Sequence, residues 1–170
     1  MHRVLIFDTS VLCVWLNVPG KRTCGPKADR WDGRRIERLI QREIQAGATF
    51  VLPLAAIIET GNHISQTSQN RYETALRLRD IIEKTAIASS PWAAFTEQAG
   101  LWEADGLTRL AQAWPAAAAE GLSIGDLTIR EVAEYYARTG AHVEILTGDA
   151  GLKAYTPRAP TALPRPRRRR

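Results

Sequence analysis

The chain has 170 residues, 45% of them apolar and 24% charged, and only two cysteines, Cys13 and Cys24. That is the size and balance of one ordinary globular domain able to bury its own core, and it excludes a disulfide scaffold or a cysteine-rich zinc module. The net charge is +5, but five arginines fall within residues 165–170, so the rest of the chain is close to neutral and argues only weakly for a polyanionic partner.

Arg3 to Asp8 reads as a buried strand, a short apolar run ending in a carboxylate. A second apolar run, Val11 to Leu16, follows directly. Asp8 interrupts the two, no small-residue cleavage site follows, and no stretch reaches the roughly 18 apolar residues of a membrane span. Neither export nor membrane insertion is expected, and the sparse cysteines point to a reducing, cytoplasmic compartment. Residues 19–27 are loop, rich in Gly, Pro and cations. Arg30 to Ala46 is expected to be helical, with Ile36, Leu39, Ile40 and Ile44 inward, Arg34, Arg35, Arg38 and Arg42 outward, and Gly47 as its stop.

Thr49 to Leu52 reads as a strand closed by Pro53, and Leu54 to Ile64 as a short helix carrying Glu59. Another helix is expected over Gln69 to Lys84, with Tyr72, Leu76 and Ile82 in the core, then a short strand at Ala86 to Ala88. Trp92 to Ala119 reads as alanine-rich helix. Ser123 is an N-cap candidate for a helix to Arg138, stopped by Gly140, with Ile129, Val132, Ala133 and Tyr136 on its apolar face. His142 to Leu146 is a strand that runs straight into Thr147-Gly148-Asp149. Strands alternate with helices, so the fold class is α/β with a central, mainly parallel sheet. Crossover handedness would place helices on both faces as a three-layer α/β/α sandwich. Residues 1–156 form one domain in this reading, and 157–170 an unstructured Pro/Arg-rich tail.

Four acids occupy informative places. Asp8 and Asp149 sit at or just beyond strand ends, where sites form in parallel sheets. Glu59 interrupts an apolar helix, and Asp126 lies in a first helical turn. Taken singly, Asp126 could serve only the helix dipole, an effect of about 0.3–1 kcal/mol, and Asp149 only a turn. Glu59 and Asp8 resist such readings, because acids are rarely buried unpaired. Gathered carboxylates repel one another, and a divalent cation removes that penalty. An all-oxygen set favours Mg²⁺ or Mn²⁺ over zinc, and such ions promote phosphodiester hydrolysis.

Residues Val4 to Leu12, Pro53 to Glu59, Leu122 to Tyr136 and Ile145 to Leu152, in this order, resemble the four motifs of PIN-domain nucleases. The resemblance spans nearly the whole chain. It implies a PIN-like fold, a Mg²⁺ or Mn²⁺ site built by Asp8, Glu59, Asp126 and Asp149, and ribonuclease activity leaving a 5′-phosphate and a 3′-hydroxyl. Thr9, Ser10 and Thr147 fall where the family often has supporting polar residues. Many small bacterial PIN proteins, similar to the VapC group, are toxins of type II toxin–antitoxin pairs. The implied partners are therefore RNA (DNA not being excluded), an antitoxin protein and a second copy in a homodimer. The segment from Val18 to Asp32, the alanine-rich stretch before Glu120 and the arginine tail depart from a minimal PIN toxin.

Other residues are weighed on their own chemistry. Asn62 and His63 lie one helical turn beyond Glu59 and are candidates to face the site, although such a histidine more often makes structural hydrogen bonds. Lys21, Arg22 and Lys27 could grip phosphates or simply be solvated. Trp92, Trp102 and Trp114 are better core residues than base-stacking platforms. A von Willebrand A-type metal module would need a second serine where Leu12 stands, and a haloacid dehalogenase-type phosphatase an aspartate where Ser10 stands. A catalytically silent PIN scaffold is the remaining alternative.

Overall fold

A computed structural model describes residues 2–157. The elements in chain order are β1 (Arg3–Phe7), α1 (Thr9–Trp15), β2 (Thr23–Cys24), β3 (Trp31–Asp32), α2 (Gly33–Gln45), β4 (Thr49–Val51), α3 (Leu54–Ser65), α4 (Arg71–Ala86), α5 (Ala104–Ala119), α6 (Ile124–Arg138), β5 (His142–Leu146) and α7 (Ala150–Ala154), with short 3₁₀ turns at Lys27–Asp29 and Phe95–Leu101. Strands β4, β1 and β5 form a parallel sheet in that order, and β2 and β3 an antiparallel hairpin. Ile6 pairs with Val51, and Phe7 with Leu146. The carboxyl ends of all three parallel strands therefore emerge at one edge of the sheet, carrying Asp8 and Thr147 with them.

Side chains alternate across a strand, and the core divides accordingly. Leu5 and Phe7 join Phe50, Leu52 and Leu146 in one apolar cluster with Leu12 of α1, Ile36 and Ile40 of α2, Ala56 and Ile64 of α3, and Leu78 and Ile81 of α4. Val4 and Ile6 face the other way and join Val51 and Ile145 against Ile129, Val132, Ala133 and Tyr136 of α6 and Leu152 of α7. Helices thus cover both faces of the sheet, as the alternation of elements predicts. Aromatic packing consolidates the first cluster: Phe7, Trp15, Phe50 and Trp92 lie within 5.3–6.2 Å, centroid to centroid, in successive ring contacts.

Several local expectations are corrected. Helix α2 begins only at Gly33, because Trp31 and Asp32 are drawn into the hairpin and Asp32 caps the helix, accepting from Arg35 N at 2.8 Å. Its inward stripe holds Glu43 rather than Ile44, which is 42% exposed. Arg3 Nε of β1 and Arg42 Nη2 pair with the buried Glu43 carboxylate at 3.1 and 2.8 Å, which meets its need for partners. Helix α4 buries Thr74, Leu78, Ile81 and Thr85, so Tyr72 points outward and Leu76 is only half-buried. No strand forms at 86–88: Ala86 closes α4, and Ala88 has φ +51°.

The expected helix from Trp92 to Ala119 is divided. Trp92 instead extends the sheet edge, where Phe50 N donates to Pro91 O and Ala93 N to Phe50 O, both at 2.8 Å. A 3₁₀ turn follows, and α5 begins only at Ala104. Among the described residues no helix is long and apolar enough to cross a membrane. The expectation for the Pro/Arg tail falls almost wholly outside the described residues.

Candidate active site

Asp8 stands at the junction of β1 and α1. Its N–H continues the sheet by donating to Leu146 O at 3.0 Å, and its side chain caps α1. The carboxylate is buried, and its Oδ2 accepts from Ser10 Oγ at 2.6 Å, from Thr147 Oγ1 at 2.7 Å and, at a longer 3.4 Å, from Ser10 N. Each hydroxyl is itself held from behind: Gly148 N donates to Ser10 Oγ, and Asp149 N to Thr147 Oγ1, both at 2.9 Å. This network locks the β1–α1 turn to the β5–α7 turn. It also explains how an acid survives among apolar residues, since a carboxylate with strong donors loses little on burial.

Glu59 projects from the middle of α3, and its Oε2 accepts from Thr9 Oγ1 at 2.9 Å. Asp126 lies in the first turn of α6, where Ser123 caps the helix by accepting from Asp126 N at 3.0 Å. Asp8, Glu59 and Asp126, brought from three distant segments, line one cavity of about 420 Å³ at the carboxyl edge of the sheet. Thr9, Ser10 and the half-buried His63 share its wall. Thr147 stands behind Asp8 and positions it.

Two expected members lie apart. Asn62 is exposed and does not line the cavity. Asp149 is also exposed and absent from the lining; its Oδ1 accepts from Leu152 N at 2.9 Å, so that it caps α7.

Sequence reasoning missed two glycines that set the geometry. A β-carbon at Gly125 would stand 2.1 Å from Glu59 Oε1, so the start of α6 closes directly over that carboxylate. A β-carbon at Gly148 would stand 2.6 Å from Gly25 N and 2.9 Å from Cys24 Sγ, so the hairpin rests on the β5–α7 turn. The available signal was a glycine placed where a helix disfavours it, beside Asp126. The hairpin's part in the wall was also missed: Cys24 lines the cavity, as does Cys13 of α1. Burial raises both thiols, Cys13 to about 11.

The donor chemistry fits a hard divalent cation, since three carboxylates share one cavity and the hydrogen bonds of Asp8 all fall on Oδ2. Among the described residues, however, no group of three or more His, Cys, Asp or Glu side chains is placed to hold an ion as it stands. Comparison with known proteins finds no matching family model, no matching curated protein and no matching solved structure.

Proposed function

We propose that the chain is a PIN-like, divalent-metal-dependent nuclease that hydrolyses RNA, acting as the toxin of a toxin–antitoxin pair. The observation that carries the nuclease reading is the convergence of Asp8, Glu59 and Asp126 on one cavity beyond the carboxyl ends of the parallel strands. The toxin role, with an antitoxin and a homodimer as partners, rests on the motif resemblance alone.

In this reading Asp8 is the fixed ligand, oriented by Ser10 and Thr147. Glu59 and Asp126 complete the set, and Asp149 joins only if it leaves its capping position. A Mg²⁺ or Mn²⁺ ion bound there supplies Lewis acidity toward water and phosphate oxygens. The chain's own work is to hold Asp8 in a fixed orientation and to present Glu59 and Asp126 in the same cavity, on one side of the phosphodiester. Hydrolysis adds water across the P–O3′ bond, so the phosphate stays on the 5′ side of the downstream product and the 3′ oxygen leaves with a proton.

A catalytically silent scaffold that binds nucleic acid or a protein partner without turnover is the second reading, favoured by the fact that no three acids among the described residues are placed to hold an ion as they stand. One experiment separates the two. A mixed pool of structured and single-stranded RNAs is incubated with wild type or Asp8→Asn, in Mn²⁺, Mg²⁺ or EDTA. The nuclease reading expects cutting by wild type in metal only, and none by Asp8→Asn. RNA binding without cutting in any metal would support the scaffold. Cutting by Asp8→Asn at the wild-type rate would remove the site altogether.

A further inference from the structure

We propose that the segment between α1 and α2 is a rigid substrate-gripping wall, and that Lys21 is its phosphate-binding residue. The inference rests on the nuclease reading for its substrate class. Lys21, Thr23 and Cys24 line the same cavity as Asp8, Glu59 and Asp126, whereas Arg22 and Lys27 of the same segment do not.

The segment is fixed at both ends. Val18 is 1% exposed within the core, and its N–H donates to Cys13 O at 2.9 Å. Lys21 N then closes a tight turn on Val18 O, also at 2.9 Å, with Gly20 at φ +81°. At the other end Trp31 is buried in the same core, and the Arg35 guanidinium lies 4.1 Å over its ring. Asp29 pairs with Arg35 at 2.7 Å and with Lys153 of α7. Gly148 seats the hairpin against the β5–α7 turn, as its close approach to Gly25 and Cys24 shows. A wall anchored in this way presents Lys21 on backbone that is already ordered, so that only its side chain remains to be ordered on binding.

Lys21 is exposed, and the ion pairs among the described residues leave it out, although three carboxylates share its cavity. It is therefore free to take an anion. A cavity of carboxylates repels a phosphodiester, and a lysine on its wall offsets that repulsion. As a compact point charge, it neutralises phosphate without reading sequence. The ligand class is a polyphosphodiester, with one phosphate taken on the wall that Lys21 and Thr23 share.

The test compares Lys21→Met, Lys21→Arg and Lys27→Met with wild type. Cleavage is followed on an RNA that wild type cuts. Binding of a short labelled mixed-sequence single-stranded RNA is followed by fluorescence anisotropy in Mn²⁺ on the Asp8→Asn background, so that cutting does not interfere. Lys21→Met is expected to raise KM and Kd about tenfold with kcat within about twofold, and to flatten the dependence of log Kd on log salt by about 0.7. Lys21→Arg restores most of the affinity, and Lys27→Met leaves it unchanged. If Lys21→Met behaves as Lys27→Met, the proposal is overturned while the nuclease reading stands. Loss of RNA binding on Lys21→Met in a protein that never cuts would uphold Lys21 and overturn the nuclease reading. Absence of any RNA binding by the Asp8→Asn parent overturns the proposal.

Discussion

Gly125 lies so close to Glu59 that a β-carbon there would stand 2.1 Å from Glu59 Oε1. The atom it would meet is the far end of a flexible side chain, so the carboxylate yields before the backbone does. Gly125→Ala should therefore leave the fold intact, and exchange of glycine for a better helix former adds up to about 1 kcal/mol. The cost falls on the site, because Glu59 is driven from Thr9 and from the cavity. A thermal melt at or above the wild-type midpoint, together with cleavage reduced at least about tenfold, is the expected result. An unchanged cleavage rate would show that Glu59 does not need its present position.

Thr147 couples two turns through one hydroxyl, donating to Asp8 Oδ2 and accepting from Asp149 N. It is buried, so Thr147→Val keeps the shape while leaving the Asp149 N–H without this acceptor and Asp8 with one donor fewer. Urea titration should show a loss of about 1–2 kcal/mol. Thr147→Ser keeps the hydroxyl but deletes a buried methyl, itself worth about 1 kcal/mol, so it should hold the network while losing only that packing. A Thr147→Val variant as stable as wild type would mean that the network contributes nothing net.

The alkaline limb of stability should carry a signature of Cys13. Burial raises this thiol from 9.0 to about 11, so the unfolded chain ionises it first. The folded state is favoured in full below pH 9.0, and the advantage shrinks as pH rises through the window up to about 11. Tyr136 and Tyr155, raised by burial and by their hydrogen bonds to Glu97 and Glu134, act in the same direction above their ordinary value of 10.0. Cys13→Ala should flatten the fall between pH 9 and 10 in melts taken across the range, leaving the tyrosine part above it. A slope unchanged by the substitution would place the effect elsewhere.

Much of this architecture could be read from periodicity and caps. The strands β1 and β5 declare themselves as apolar runs ending at Asp8 and Thr147. Ser123, Asp126 and the face from Ile129 to Tyr136 describe α6 as it forms. The failures share a physical cause, which is that tertiary partners override local pattern. Glu43 displaces Ile44 from the core because Arg3, forty residues earlier in the chain, meets its charge. Trp31 joins a hairpin that no local signal announced, because its ring fills the core beneath Arg35. In the site, Asp8, Glu59 and Asp126 were legible as acids where acids are costly, whereas Gly125 and Gly148 matter through what approaches them, and a sequence does not display approach.

Asp149 separates capping from chemistry. Its Oδ1 accepts from Leu152 N, and the side chain is exposed and outside the cavity lining. Asparagine caps a helix as well as aspartate, whereas alanine loses about 1 kcal/mol. Asp149→Asn should therefore keep stability and retain cleavage within about threefold of wild type, while Asp149→Ala lowers stability by the cap alone. Asp8→Asn in the same series should cut nothing. A collapse of cleavage in Asp149→Asn, with the melt unchanged, would mean that Asp149 leaves its cap and turns into the site when the ion and RNA are bound. The fourth acid would then belong to the loaded enzyme, although it stands apart in this structure.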